Sequence, residues 1–157
     1  MDNVKNILEV LKKEALLGIR KGDGGPFSAV VVKDGKMIAK GHNMVVSKNN
    51  PILHAEIVAT MKASKKLKRF DLRDCEIYSS CEPCPMCFSA LHWARYKKVY
   101  FVLTRKDASK IGFDDNFIYE VLAGKKKPVF KLEKLADTVL MKDVFSKWKG
   151  KMDKIKY

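Results

Sequence analysis

Two short stretches of this 157-residue chain concentrate the residue types that do chemistry: His54-Ala55-Glu56, and Pro83-Cys84-Pro85-Met86-Cys87. One imidazole and two thiolates are a donor set that suits Zn²⁺. Cys84 and Cys87 stand at i and i+3, so on a first helical turn both sulfurs face one side, and Pro85 fits an early helix position where its missing N–H is no loss. Three protein ligands leave the fourth vertex to water, which is the pattern of a catalytic zinc; a structural zinc is closed by four. Two thiolates also cancel the formal charge of the ion and leave such a water less acidic. Helix N-terminal N–H groups around 84–87 offset this by holding charge on the sulfurs, and Glu56 stands two residues past the histidine to take the proton and hand it on to a leaving group.

Cys81, Cys84 and Cys87 are evenly spaced, so any two could ligate. The later pair is favoured, because Cys81 precedes Glu82-Pro83 and falls near a strand end, outside the turn that aligns the other sulfurs. The plainer alternative is a closed structural zinc or a redox pair, with His54 a helix-end histidine. Cys75, inside a strand, reads as a small core residue. His92, beside Trp93 in a helix, reads as packing. His42, next to Asn43 at a strand end, stays open between a substrate contact and a structural role.

The elements that must position these residues are legible from periodicity. Val4, Ile7, Leu8, Leu11, Ala15 and Ile19 form the stripe of an amphipathic helix that stops at Gly22. A glycine loop at 22–26 leads to a strand over 27–33, an Asp34-Gly35 hairpin turn and a return strand toward Gly41-His42-Asn43. A helix over 54–68, a strand over 75–79, a helix over 85–96 and a strand over 99–104 follow. A helix near 115–122, a short strand over 129–132 and a last helix complete the chain. That order predicts an α/β fold of three layers, α/β/α, with a five-stranded mixed sheet covered by helices on both faces. Both chemistry-bearing helices then start at the carboxyl edge of the sheet, so the imidazole and the two thiolates can converge.

The 46% hydrophobic and 32% charged composition fits one domain over 1–157, able to build a core without metal or disulfide staples. The formal charge of +14 raises nucleic acid as a partner, yet only five of the 32 basic residues are Arg, so a solvated lysine surface is the favoured reading. No stretch approaches the ~18 apolar residues of a membrane span, and the N-terminus lacks the apolar core of a secretory signal. A cytoplasmic location is the expectation, in keeping with clustered thiols outside a disulfide framework.

His-x-Glu followed by Pro-Cys-x-x-Cys is similar to the signature of zinc-dependent nucleobase deaminases. The fuller set resembles the bacterial-type guanine deaminases of the cytidine-deaminase-like superfamily: Gly24-Gly25-Pro26-Phe27, the two stretches above with Ser80-Cys81-Glu82, Trp93-Ala94-Arg95, Gly112-Phe113-Asp114-Asp115 and terminal Tyr157. The resemblance implies hydrolysis of guanine to xanthine and ammonia in purine catabolism or salvage, with one Zn²⁺ per subunit held by His54, Cys84 and Cys87, and Glu56 as the proton shuttle. It implies substrate contacts at Phe27, Asn43, Ala55, Trp93, Asp114 and Tyr157. It also implies a homodimer in which a C-terminal segment, about 137–157, is exchanged so that Tyr157 closes the partner's site.

Each contact has a plainer reading: Asn43 capping a turn, Phe27 or Trp93 packing, and Asp114 capping the helix near Asp115. Tyr96 stands where proline is common in the family, and Ser28 where glycine or alanine is usual. A tRNA adenosine deaminase, a guanosine or cytosine deaminase and a zinc-stabilised RNA-binding protein are the alternatives, the last disfavoured because a structural metal needs no Glu56.

Overall fold

The computed structural model describes residues 4–135 and 139–155. Its elements are α1 (Val4–Lys21), β1 (Ser28–Lys33), β2 (Lys36–His42), α2 (Ala55–Leu67), β3 (Cys75–Cys81), α3 (Pro85–Trp93), β4 (Lys98–Leu103), α4 (Arg105–Ser109), α5 (Asn116–Leu122) and α6 (Val139–Gly150). The sheet order is β2-β1-β3-β4, antiparallel between β2 and β1 and between β1 and β3, and parallel between β3 and β4. The β1–β2 hairpin closes on Asp34 and Gly35, both at positive φ (49° and 71°), the conformation of a two-residue turn that matches strand twist.

β1 is buried along nearly its whole length because helices cover both of its faces. Ala29 and Val31 join Ala55, Ala59, Ala63, Ile77 and Leu91 in a core under α2 and α3. Val30 and Val32 point the other way, against Ile7 and Leu11 of α1. Cys75 is fully buried in the first of these cores, where burial pushes its thiol up to about 11. Alanines at i, i+4 and i+8 let α2 lie directly on the sheet: a Cβ on Gly41 would come within 2.8 Å of the Ala59 backbone nitrogen. The free edge of β2 is covered by lysines of α2, with Lys62 Nζ and Lys66 Nζ each donating to a β2 carbonyl (Lys40 O and Ile38 O) at 3.1 Å.

Two expectations need correction. The described residues form a four-stranded sheet; 129–132 is not a strand, and its Val129 and Leu132 are 88% and 85% exposed. Their β-forming side chains are not enough, because an extended segment becomes a strand only when another strand accepts its N–H and C=O groups. A short helix, α4, also follows β4 where none was expected. It is started by a reciprocal cap in which Asp107 Oδ2 accepts from the Thr104 N–H and hydroxyl while the Asp107 N–H donates to Thr104. No described helix is long and apolar enough to cross a membrane.

Candidate metal centre and active site

The site forms at the carboxyl ends of β2, β3 and β4, where α2 and α3 begin. His54 is the N-cap of α2 and Cys84 the N-cap of α3, both with extended backbone, and Pro85 takes the first turn of α3. Neither cap uses its side chain on its own helix, which leaves both side chains for the space between. His54 Nδ1 lies 3.6 Å from Cys84 Sγ and 3.6 Å from Cys87 Sγ, and the three donor atoms lie within 4.8 Å of one another. Zinc bonds of ~2.3 Å to sulfur and ~2.0 Å to nitrogen at a tetrahedral angle set those atoms about 3.5 Å apart, so the donors already stand at a shared-ion spacing.

The protonation of these donors fits that purpose. The Cys87 thiol and the His54 ring stabilise a Cys84 thiolate, lowering Cys84 to about 4. The contact with Cys84, and the charge of Glu56, raise His54 against the opposing effect of burial. Protons shared among three such groups are what an entering divalent cation displaces. Cys81 stands apart from the trio: it is buried, its Sγ donates to the Thr104 carbonyl at 3.4 Å, and burial pushes its thiol up to about 11.

Glu56, in the first turn of α2, is 6% exposed. Burial raises its carboxyl above the ordinary value, the direction that suits a group meant to accept and release a proton near neutrality. Oε1 accepts from Ser79 Oγ at 3.2 Å, and the Cys87 thiol lies 3.5 Å from Oε2. The carboxylate is therefore held in one orientation beside the metal ligands.

A cleft of about 670 Å³ opens over this centre. His54, Glu56 and Cys84 form part of its lining, with Phe27, Asn43 and Asp114 on its walls. Phe27 meets Phe113 edge to face, centroids 4.9 Å apart, and Gly25 lets the Phe113 ring lie close, since a Cβ there would come within 2.8 Å of it and push it aside. The plainer roles are also present: Asn43 Oδ1 accepts from the Val45 N–H at 3.1 Å and Asp114 Oδ1 from the Asn116 N–H at 2.9 Å. Each of these side chains thus spends one oxygen on its own loop and still lines the cleft.

Ala55 is fully buried with its methyl in the core, so its side chain does not line the cleft. Trp93 is 65% exposed and also lies outside the cleft lining. It sits nine residues beyond Cys84, about 13 Å along the helix axis from the edge where the cleft lies. His92 stacks edge-on against Phe88, and Tyr157 lies outside the described residues.

Residues 1–103 match the family described as the cytidine and deoxycytidylate deaminase zinc-binding region. The chain belongs to that family. Its metal is accordingly zinc, and His54, Cys84 and Cys87 are positioned to bind it. Within the deaminases, the chain is 52% identical over 103 residues to the guanine deaminase of Bacillus subtilis, covering 66% of each. It is 40% identical over 94 residues to the tRNA-specific adenosine deaminase of Aquifex aeolicus, covering 60% of this chain and 62% of that one. The chain thus spans somewhat under two thirds of the length of these two relatives. The X-ray structure of the Bacillus subtilis guanine deaminase superposes with a TM-score of 0.89 at 40% identity, over 99% of both chains.

Sequence reasoning alone did not single out Ser79, Phe113 as a wall, or Arg105. Ser79 was legible in principle, as a serine at a buried position of a strand whose neighbours on that face are Cys75, Ile77 and Cys81. Arg105 lines the cleft with its guanidinium 4.3 Å over the Tyr119 ring. No sequence signal marks that placement, because it depends on how α4 and α5 meet.

Proposed function

We propose that this deaminase hydrolyses guanine to xanthine and ammonia, as a cytoplasmic enzyme of purine catabolism or salvage. The observation that carries the reading is the superposition on a guanine deaminase over 99% of both chains at a TM-score of 0.89, whereas the structure from work on tRNA:A34 deaminases matches over 64% of this chain at a TM-score of 0.61. Zinc, when bound by His54, Cys84 and Cys87, supplies a water acidic enough to attack at neutral pH. Glu56 takes the proton of the attacking water, delivers it to the ring nitrogen next to C2, and carries the second proton to the departing amine, so that water and guanine leave as xanthine and ammonia. The Ser79 hydroxyl keeps the Glu56 carboxylate aimed through both transfers. Phe27 and Phe113 offer the ring an apolar face, the Asn43 Nδ2 a donor to a ring acceptor, and Asp114 an acceptor for ring N–H groups. A cytoplasmic setting is supported by four free cysteines, two of them in the donor trio.

The dimer completes this reading. All six residues of β4 are exposed, and an apolar groove beside it is lined by Phe88, Tyr96, Val99, Phe101 and Leu122. Val144, Phe145 and Trp148 on α6 are exposed as well. Two uncovered apolar surfaces on one chain suit each other across two chains, with the segment 137–157 exchanged and Tyr157 brought to a partner's cleft.

A second reading, deamination of adenosine in tRNA, draws on the +14 charge and on the 40% identical relative. An ammonia-release panel over guanine, guanosine, cytosine, adenosine and a tRNA anticodon stem separates the two. Guanine turnover nearly independent of salt is the expected result; turnover confined to the RNA and falling steeply with salt would replace it. Deletion of 143–157 is expected to give monomers by light scattering and to lower kcat/KM by about tenfold or more, as a site loses a positioning wall. Unchanged activity after the deletion would remove the exchanged tail from the account.

A further inference from the structure

A buried ionic cluster lies behind Asn43 and takes no part in the chemistry above. His42, the last residue of β2, lies outside the cleft lining and packs against α1. Its Nδ1 lies 3.0 Å from Glu14 Oε1 and its Nε2 2.8 Å from Asp23 Oδ2. Lys40 Nζ reaches the other oxygen of Glu14 at 3.0 Å. Burial opposes ionisation of Glu14, but hydrogen bonds from Lys40 and His42 outweigh it and hold the carboxyl below its usual range. Hydrogen bonds from Ser47 and His42 do the same for Asp23. Each ring nitrogen of His42 thus lies within hydrogen-bond distance of a carboxylate oxygen, and Lys40 closes the other side of Glu14. The ring also displaces helix side-chain volume, since a Cβ on Gly18 of α1 would come within 2.9 Å of it.

A buried ionic cluster is seldom more stable than an apolar core of the same shape, so its worth is better sought in what it positions. Asp23 is the node. Its N–H donates to the Gly18 carbonyl at 3.0 Å, and its own carbonyl accepts from Val46 and Ser47 at 3.0 and 3.1 Å. The end of α1, the end of β2 and the turn after Asn43 are thereby tied to one residue. Asn43 follows His42 directly, its N–H donates to the Phe27 carbonyl at 3.0 Å, and its Oδ1 is turned back onto Val45. Gly24, next to Asp23, passes so close that a Cβ there would fall 2.0 Å from Asn43 Oδ1.

We propose that His42, Glu14 and Asp23 are positioning residues that set the Asn43 amide, and with it the wall formed by 22–25 and 43–46, for recognition of the base. This rests on the substrate reading above. It differs from a purely structural role in one respect: its effect on substrate must pass through Asn43.

Wild-type turnover of guanine is measured first, so that failure of the substrate reading shows there; whichever base the panel supports then takes its place, read as Kd if no base turns over. Asp23→Ala is then introduced into the wild type and into Asn43→Ala. In the wild type it is expected to raise KM about tenfold with kcat within about threefold, and in Asn43→Ala to change KM by less than about twofold, as coupled residues do. Zinc stays at one per chain. Asp23→Asn, which keeps an acceptor oxygen for the His42 ring, restores KM to within about threefold of wild type. Independent, multiplicative effects in the double variant would overturn the proposal, as would an unchanged KM in Asp23→Ala or no rescue by Asn. Should Asp23→Ala not fold, His42→Gln, which can still bond one carboxylate, is taken through the same cycle under the same criteria.

Discussion

Glu56→Gln is expected to lower kcat on guanine by about 10²- to 10⁴-fold, the usual worth of a positioned proton-transfer group, while a full equivalent of zinc stays bound. Glutamine fills the same buried space and its carbonyl can still accept from Ser79 Oγ, now 3.2 Å from the carboxylate, so the site keeps its shape. It has no proton to exchange. Because burial already disfavours the ionised Glu56, the variant should melt no lower than wild type. Turnover, zinc content by elemental analysis and melting temperature on one preparation make the check. Activity near that of wild type would take Glu56 out of the reaction, and loss of zinc would make it a ligand.

The second large effect divides the three clustered cysteines. Cys84→Ser and Cys87→Ser are expected to hold less than about a tenth of an equivalent of zinc after dialysis against a chelator, since a serine hydroxyl is a poor replacement for thiolate on zinc. Turnover falls in step, and added zinc does not restore it. Cys81→Ser retains both metal and activity, because its sulfur lies outside the donor trio, and its bond to the Thr104 carbonyl is one a hydroxyl makes as well. Wild type stripped by the chelator recovers with zinc and should melt lower without it, as expected when a ligand binds only the folded state. Full zinc in Cys87→Ser together with loss in Cys81→Ser would reassign the ligands.

The adjoining cluster answers a question that the sequence leaves open at His42. A histidine beside an asparagine at a strand end has the appearance of a substrate contact, and strand alternation does not say which neighbour each faces. The structure sends the pair in different directions, with the ring onto Glu14 and Asp23 and the amide along the cleft. Asp23 belongs to a glycine loop whose composition predicts only a turn. Its role as a node appears when α1, β2 and the 43–47 turn are seen to meet on it.

Much of the site was readable because its chemistry depends on local spacing. His54 and Glu56 stand two apart at the start of one helix, and Cys84 and Cys87 fall on one side of another. Proline at 85 and alanines at 55, 59 and 63 mark how those helices begin and pack. Strands β1 and β2 were equally plain, since Asp34-Gly35 and the β-branched run Val30-Val31-Val32 are short-range signals. What periodicity cannot report is a partner distant in sequence. Residues 129–132 have β-forming side chains and yet are not a strand, because no strand among the described residues pairs with them. Trp93 lies on a helix that starts at the site but runs away from it, and Ser79, Phe113 and Arg105 reach the centre only through the way strands and helices stack. Residue types and intervals therefore determined the donor set and put the Glu56 carboxylate beside it, whereas the walls of the cleft, and the buried charges behind them, were decided by contacts that only the folded chain brings together.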